Sequence, residues 1–68
     1  MSQKLTPRER EVFKWLGTGI STREIAEKMG LSDKTIETYR EHIKTKLHLK
    51  NASELVYTAI KAAESGEI

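Results

Sequence analysis

The chain has 68 residues, 12 of them Lys or Arg and 10 Asp or Glu, for a net charge of +2. It holds no cysteine, which excludes a disulfide framework and a thiolate metal site. No apolar run approaches the ~20 residues that span a bilayer and no secretory leader opens the chain, so a single small domain of residues 1–68 in a reducing cytoplasm or nucleoid is expected, with no membrane partner.

Four helices are predicted, over about 6–18, 22–29, 33–47 and 52–64, giving an all-α, compact four-helix bundle with its core within residues 5–63. The first opens at Thr6-Pro7-Arg8-Glu9. Thr6 is a good N-cap, Pro7 suits the first helical position, and Glu9 completes a capping box. Val12, Phe13, Trp15 and Leu16 form its apolar side, with Trp15 expected to cover the junction with the fourth helix. Gly19 ends it.

Ser21 and Glu24 make a second capping box, followed by the apolar stripe Ile25, Ala26 and Met29. Gly30 closes that helix, because only Gly takes the left-handed C′ conformation without a Cβ penalty. Leu31 plugs the turn and Ser32 caps the third helix. There Ile36, Tyr39, Ile43 and Leu47 share one face.

The fourth helix opens at Asn51-Ala52-Ser53-Glu54, a third cap-and-Glu arrangement. Its apolar residues Leu55, Val56, Ala59, Ile60 and Ala63 form a wide stripe. Leu55 and Ala59 are expected to cover the core. Val56 and Ile60 turn to the far edge with Tyr57 beyond, leaving apolar surface for a second copy of the chain.

Charge is unevenly spread. Residues 1–51 carry 11 basic and seven acidic side chains, whereas residues 52–68 carry only Lys61 against Glu54, Glu64 and Glu67. The basic surplus therefore sits in the part of the chain that holds the second and third helices, not with the fourth. Their arrangement, two short amphipathic helices about a Gly turn, is the plan of a helix-turn-helix, whose second helix enters the DNA major groove. Double-stranded DNA is the expected partner.

The outer face of the third helix carries Lys34, Thr38, Glu41 and Thr45, flanked by Glu37, Lys44 and His48. On an isolated helix this would be an ordinary solvated face; after a helix-turn it becomes the reading face. Two readings stand for Glu37 and Glu41. Inside the groove a carboxylate accepts a hydrogen bond from cytosine N4. Outside it, Lys34 and Arg40 would pair with Glu37, and Lys44 with Glu41, for ~0.2–0.5 kcal/mol each. Lys34, Lys44, Lys46 and Lys50 are candidate phosphate contacts, which position a domain without reading sequence. Ser32, Thr35 and the Tyr39 hydroxyl are further candidates.

His42 and His48 lie off one another's helical face with no cysteine or carboxylate cluster nearby, so no metal site is expected. No nucleophile–base grouping or Gly-rich phosphate loop is written in the chain. The expectation is a protein that is not an enzyme and takes no cofactor. Asn51-Ala52-Ser53 matches a glycosylation sequon but reads as a helix cap.

Several separated motifs then agree in order and spacing. Leu5-Thr6-Pro7-Arg8-Glu9-Arg10-Glu11-Val12, Gly19-Ile20-Ser21, Glu24-Ile25-Ala26, Ser32 with Thr35-Ile36-Glu37-Thr38-Tyr39, and Ile43 with Lys46-Leu47 and Leu49-Lys50-Asn51 resemble the LuxR-type helix-turn-helix of the NarL/FixJ response regulators. The resemblance covers about residues 5–63. It implies a DNA-binding domain that normally follows a receiver or ligand-sensing domain, dimerises largely through the fourth helix, and acts near promoters, with RNA polymerase a possible partner. It places base reading on Glu37, Thr38 and Glu41 with Arg40 adjacent, and phosphate contacts on Thr22, Ser32, Thr35, Tyr39 and Lys46. Gly17 stands where relatives often carry alanine, implying a small loss of helix stability. The chain is expected to be either an excised effector domain or a stand-alone regulator. Two rivals share parts of the pattern: region 4 of a sigma factor, which does not normally continue into a fourth amphipathic helix, and a helical adaptor that uses the fold for protein contacts alone.

Overall fold

Each helix begins at a side chain that satisfies an otherwise orphaned backbone N–H. In the computed structural model, which describes residues 5–66, the helices are α1 (Pro7–Leu16), α2 (Thr22–Met29), α3 (Asp33–Lys46) and α4 (Ala52–Glu64). Thr6 and Ser21 cap α1 and α2 in reciprocal capping boxes with Glu9 and Glu24. The Ser32 hydroxyl accepts from the Thr35 N–H at the head of α3. Asn51 accepts from the Glu54 N–H, but the Glu54 carboxylate accepts from Lys50 N–H rather than from the cap, so the third box is not closed.

Two ends differ from expectation. The first helix stops at Leu16 instead of 18, because Gly17, Thr18 and Gly19 turn through i→i+3 hydrogen bonds onto Lys14, Trp15 and Leu16, and Gly19 has φ +85°. The third stops at Lys46 instead of Leu47. Leu49 N–H reaches the Lys44 carbonyl at 2.8 Å and His48 N–H that of Thr45 at 3.2 Å, with His48 at φ 60°. This is a Schellman closure with a histidine where glycine is usual. Gly30 makes the same closure after α2, at φ 69°.

Both α1 and α3 pack against each other and against the other two helices, while α2 and α4 do not touch. Their shared core is Val12, Phe13, Leu16, Ile25, Ala26, Ile36, Ile43, Leu55, Ala59 and Ala62. On α4, Leu55 and Ala59 cover the core as expected and Ala62 joins them, whereas Ala63 of the predicted stripe is exposed. Ala63 instead faces Gly17, where a Cβ would come within 3.2 Å of its own and 2.7 Å of the Ala59 carbonyl oxygen. Gly17 therefore permits the close approach of α1 to α4. Trp15 is half-buried against the core with the Lys28 ammonium of α2 5.5 Å from its ring centre, which places it beside α2.

Candidate nucleic-acid interface

The α2–turn–α3 unit leaves one face of α3 outside the core. Ile36 and Ile43 are fully buried, and Tyr39 and Leu47 pack on the core edge. The opposite face exposes Lys34, Glu37, Thr38, Glu41 and Thr45. Two rows flank it. Thr35, Tyr39, His42 and Lys46 recur at i, i+4, i+7 and i+11 along the edge beside α1. Arg40 and Lys44 run along the other edge, where a shallow concavity is lined by Thr22, Arg40, Lys44 and Ala52 among others. Thr22 of α2 and the predicted residues of α3 are thus gathered on one surface, beside Ala52 at the head of α4.

The pairings on this surface are specific. Arg40 Nη1 donates to the Thr22 hydroxyl, tying the guanidinium to the first residue of α2. It is therefore directed away from Glu37, its expected intrahelical partner. Lys44 Nζ lies 3.0 Å from Glu41 Oε2, the local pair foreseen as the alternative to base contact. Glu37 is exposed and makes no ion pair with the described residues. The Ser32 and Thr35 hydroxyls are 2.9 Å apart at the α3 N-terminus, beside its free N–H groups.

Sequence reasoning missed the partner of Lys46. Its ammonium donates at 2.6 Å to Glu9 Oε1, an oxygen that also accepts the Thr6 N–H at 3.0 Å. His42 Nδ1 stands 3.6 Å from Glu9 Oε2. Glu9 is only 4% exposed. Burial pushes its carboxyl up, but the Lys46 hydrogen bond, the Thr6 N–H and the neighbouring Lys46 and His42 charges outweigh this and hold it below its ordinary value of 4.5. The capping box accounts for Glu9 locally. Only its position on the inner side of α1, beside the Thr35–Lys46 row, brings it to Lys46.

On α4, Tyr57 is 64% exposed, the largest such hydrophobic side chain, and Val56 and Ile60 beside it are half-buried. With Ala52 and Ser53 they line an open apolar hollow. Among the described residues no group of three or more His, Cys, Asp or Glu is placed to hold a metal ion. No described helix is long and apolar enough to cross a membrane.

Comparison with known proteins supplies the frame. Residues 3–59 match the family described as "Bacterial regulatory proteins, luxR family". The chain is 43% identical over 58 residues to the transcriptional regulatory protein FixJ of Bradyrhizobium diazoefficiens, covering 85% of this chain and 28% of that protein. It is 46% identical over 57 residues to the oxygen regulatory protein NreC of Staphylococcus aureus, covering 84% of this chain and 26% of the relative. The chain thus spans about a quarter of the length of these relatives. The match runs through the helix-turn-helix into α4, where the resemblance to sigma region 4 stops. Helix order, capped helix-turn-helix and family match agree: the chain belongs to the LuxR family of bacterial regulatory proteins and is a LuxR-type helix-turn-helix DNA-binding domain.

Proposed function

We propose that this domain reads a specific double-stranded operator as the output module of a two-component or ligand-sensing transcription regulator. The observation that carries the reading is the exposed face of α3 between two flanking rows. Thr38 and Glu41, with Glu37 and Arg40 beside them, meet base edges in the major groove. Thr22, Lys34 and Lys44 serve one bounding backbone. Ser32, Thr35, Tyr39 and Lys46 serve the other. A major groove about 12 Å wide admits one helix with a phosphate wall on each side, which this arrangement suits. The domain works by binding alone, without a cofactor or a reaction of its own, in the cytoplasmic nucleoid.

Two copies pair through Val56, Tyr57 and Ile60 of α4, placing two α3 helices on half-sites about one helical turn apart. An interface built on these three side chains is small, which fits a pairing that is weak in solution and cooperative on DNA. RNA polymerase is a further partner of the promoter-bound dimer.

Selection of bound duplexes from a random pool tests the base assignment. Glu37→Gln and Glu41→Gln should each change preference at one or two positions, worth about 1–3 kcal/mol. An identical selected motif in both variants would remove these carboxylates from base reading.

A further inference from the structure

The Glu9–Lys46–His42 cluster does not behave as a simple cationic site. Glu9 is buried and carries one negative charge, which Lys46 cancels at 2.6 Å. The net charge of the three groups is therefore zero when His42 is neutral and +1 when it is protonated. A phosphate approaching this edge of α3 meets no net attraction in the first state and a cation in the second. Imidazole is the side chain that makes this change between about pH 5 and 8.

Geometry favours the charged form once a phosphate arrives. His42 is 57% exposed and turns Nδ1 toward Glu9 Oε2, so Nε2 is the nitrogen left for a second partner. An imidazolium can donate from both nitrogens, one toward the carboxylate and one toward a phosphate oxygen. His42 sits between Tyr39 and Lys46 in the row that borders α1. Among the described residues, the charged groups placed with it are Glu9 of α1, 3.6 Å from its Nδ1, and Lys46 of its own helix, which meets the same carboxylate. His48 is itself the left-handed residue of the α3 closure and makes no ion pair with Glu9.

We infer that His42, positioned by the buried Glu9, is a proton-linked contact to a DNA backbone phosphate, so that this domain takes up a proton when it binds duplex. Lys46 alone is neutralised internally and adds little to the salt dependence; Lys46 with protonated His42 adds one phosphate contact. The inference rests on the reading that α3 faces DNA.

Binding of the chain to a mixed-sequence duplex, measured against salt at about pH 8 and about pH 6, tests it. The salt slope should steepen by ~0.9 at the lower pH, with affinity five- to tenfold tighter near 0.1 M salt. His42→Gln should abolish both changes, and His48→Gln should keep them. His42→Lys should bind tightly at both pH values, with the steeper slope throughout. Circular dichroism of each protein at both pH values separates binding from folding. A slope independent of pH in the unsubstituted chain, or a pH effect that survives in His42→Gln, would overturn the proposal. Failure of the chain to bind any duplex at either pH would instead overturn the DNA-facing reading beneath it.

Discussion

The Lys46 ammonium at the end of α3 rests 2.6 Å from a carboxylate oxygen of Glu9 in the first turn of α1. It joins positions 37 apart in sequence and ties the end of α3 to the first turn of α1. Removing Lys46 strands a buried carboxylate, whereas removing the Glu9 charge leaves a 34%-exposed ammonium that can turn to water.

Lys46→Ala should accordingly destabilise the fold by about 2–3 kcal/mol, and Glu9→Gln by about 1–2 kcal/mol, at neutral pH. Urea unfolding measures both. Equal, negligible losses would show that the bridge contributes nothing. Any effect of Lys46→Ala on DNA binding is interpretable only beside this measurement.

The same carboxylate sets an acid limit. Its value is lowered in the fold, so its contribution is complete above the unfolded value of about 4.5 and is lost as pH falls through the lower folded value. Stability of the unsubstituted chain should fall below about pH 4.5, and the gap to Glu9→Gln should close there. A gap that stays constant with pH would mean that Glu9 is not the group responsible.

Gly17→Ala opposes helix propensity to packing. Alanine favours a helix by about 1 kcal/mol, but its Cβ would stand 2.7 Å from the Ala59 carbonyl oxygen, a backbone atom that cannot swing away. Overpacking costs about 1–3 kcal/mol, and it should win. The expected result is a lower thermal midpoint; a higher one would show that α4 moves away freely.

His48→Gly should stabilise. A residue with a Cβ at φ 60° costs about 1–2 kcal/mol. Glycine removes that strain but is freer in the unfolded chain by about 0.5–1 kcal/mol. A net gain of about 0.5–1 kcal/mol should appear in thermal unfolding. A loss would indicate that the imidazole makes a compensating contact.

Ile60→Glu examines the α4 surface. Ile60 is half-buried beside exposed Tyr57, outside the sealed core. Folding and half-site binding should persist while cooperative binding to a two-half-site duplex disappears. Equal loss on both DNAs would make Ile60 a core residue, and no loss would place the pairing surface elsewhere.

Sequence alone determined what is local. Thr6, Ser21, Ser32 and Asn51 mark helix starts because each caps N–H groups two or three residues away. Gly30 marks a turn because its backbone conformation belongs to glycine, and the 3.6-residue spacing of Val12, Ile25, Ile36 and Leu55 with their neighbours named most of the core. The outer face of α3 follows from the same spacing. Tertiary structure decided whatever joins distant segments. Glu9 carries a complete local explanation as a capping partner, and nothing nearby announces Lys46. Gly17 reads as a weak helix residue until α4 is laid against it. Arg40 has a carboxylate three residues away, yet it turns to Thr22 because the crossing of α2 and α3 brings that hydroxyl closer to its reach. Caps and periodicity act within one or two turns of chain, whereas these contacts depend on how the helices cross, which the packing of all four around one small core sets.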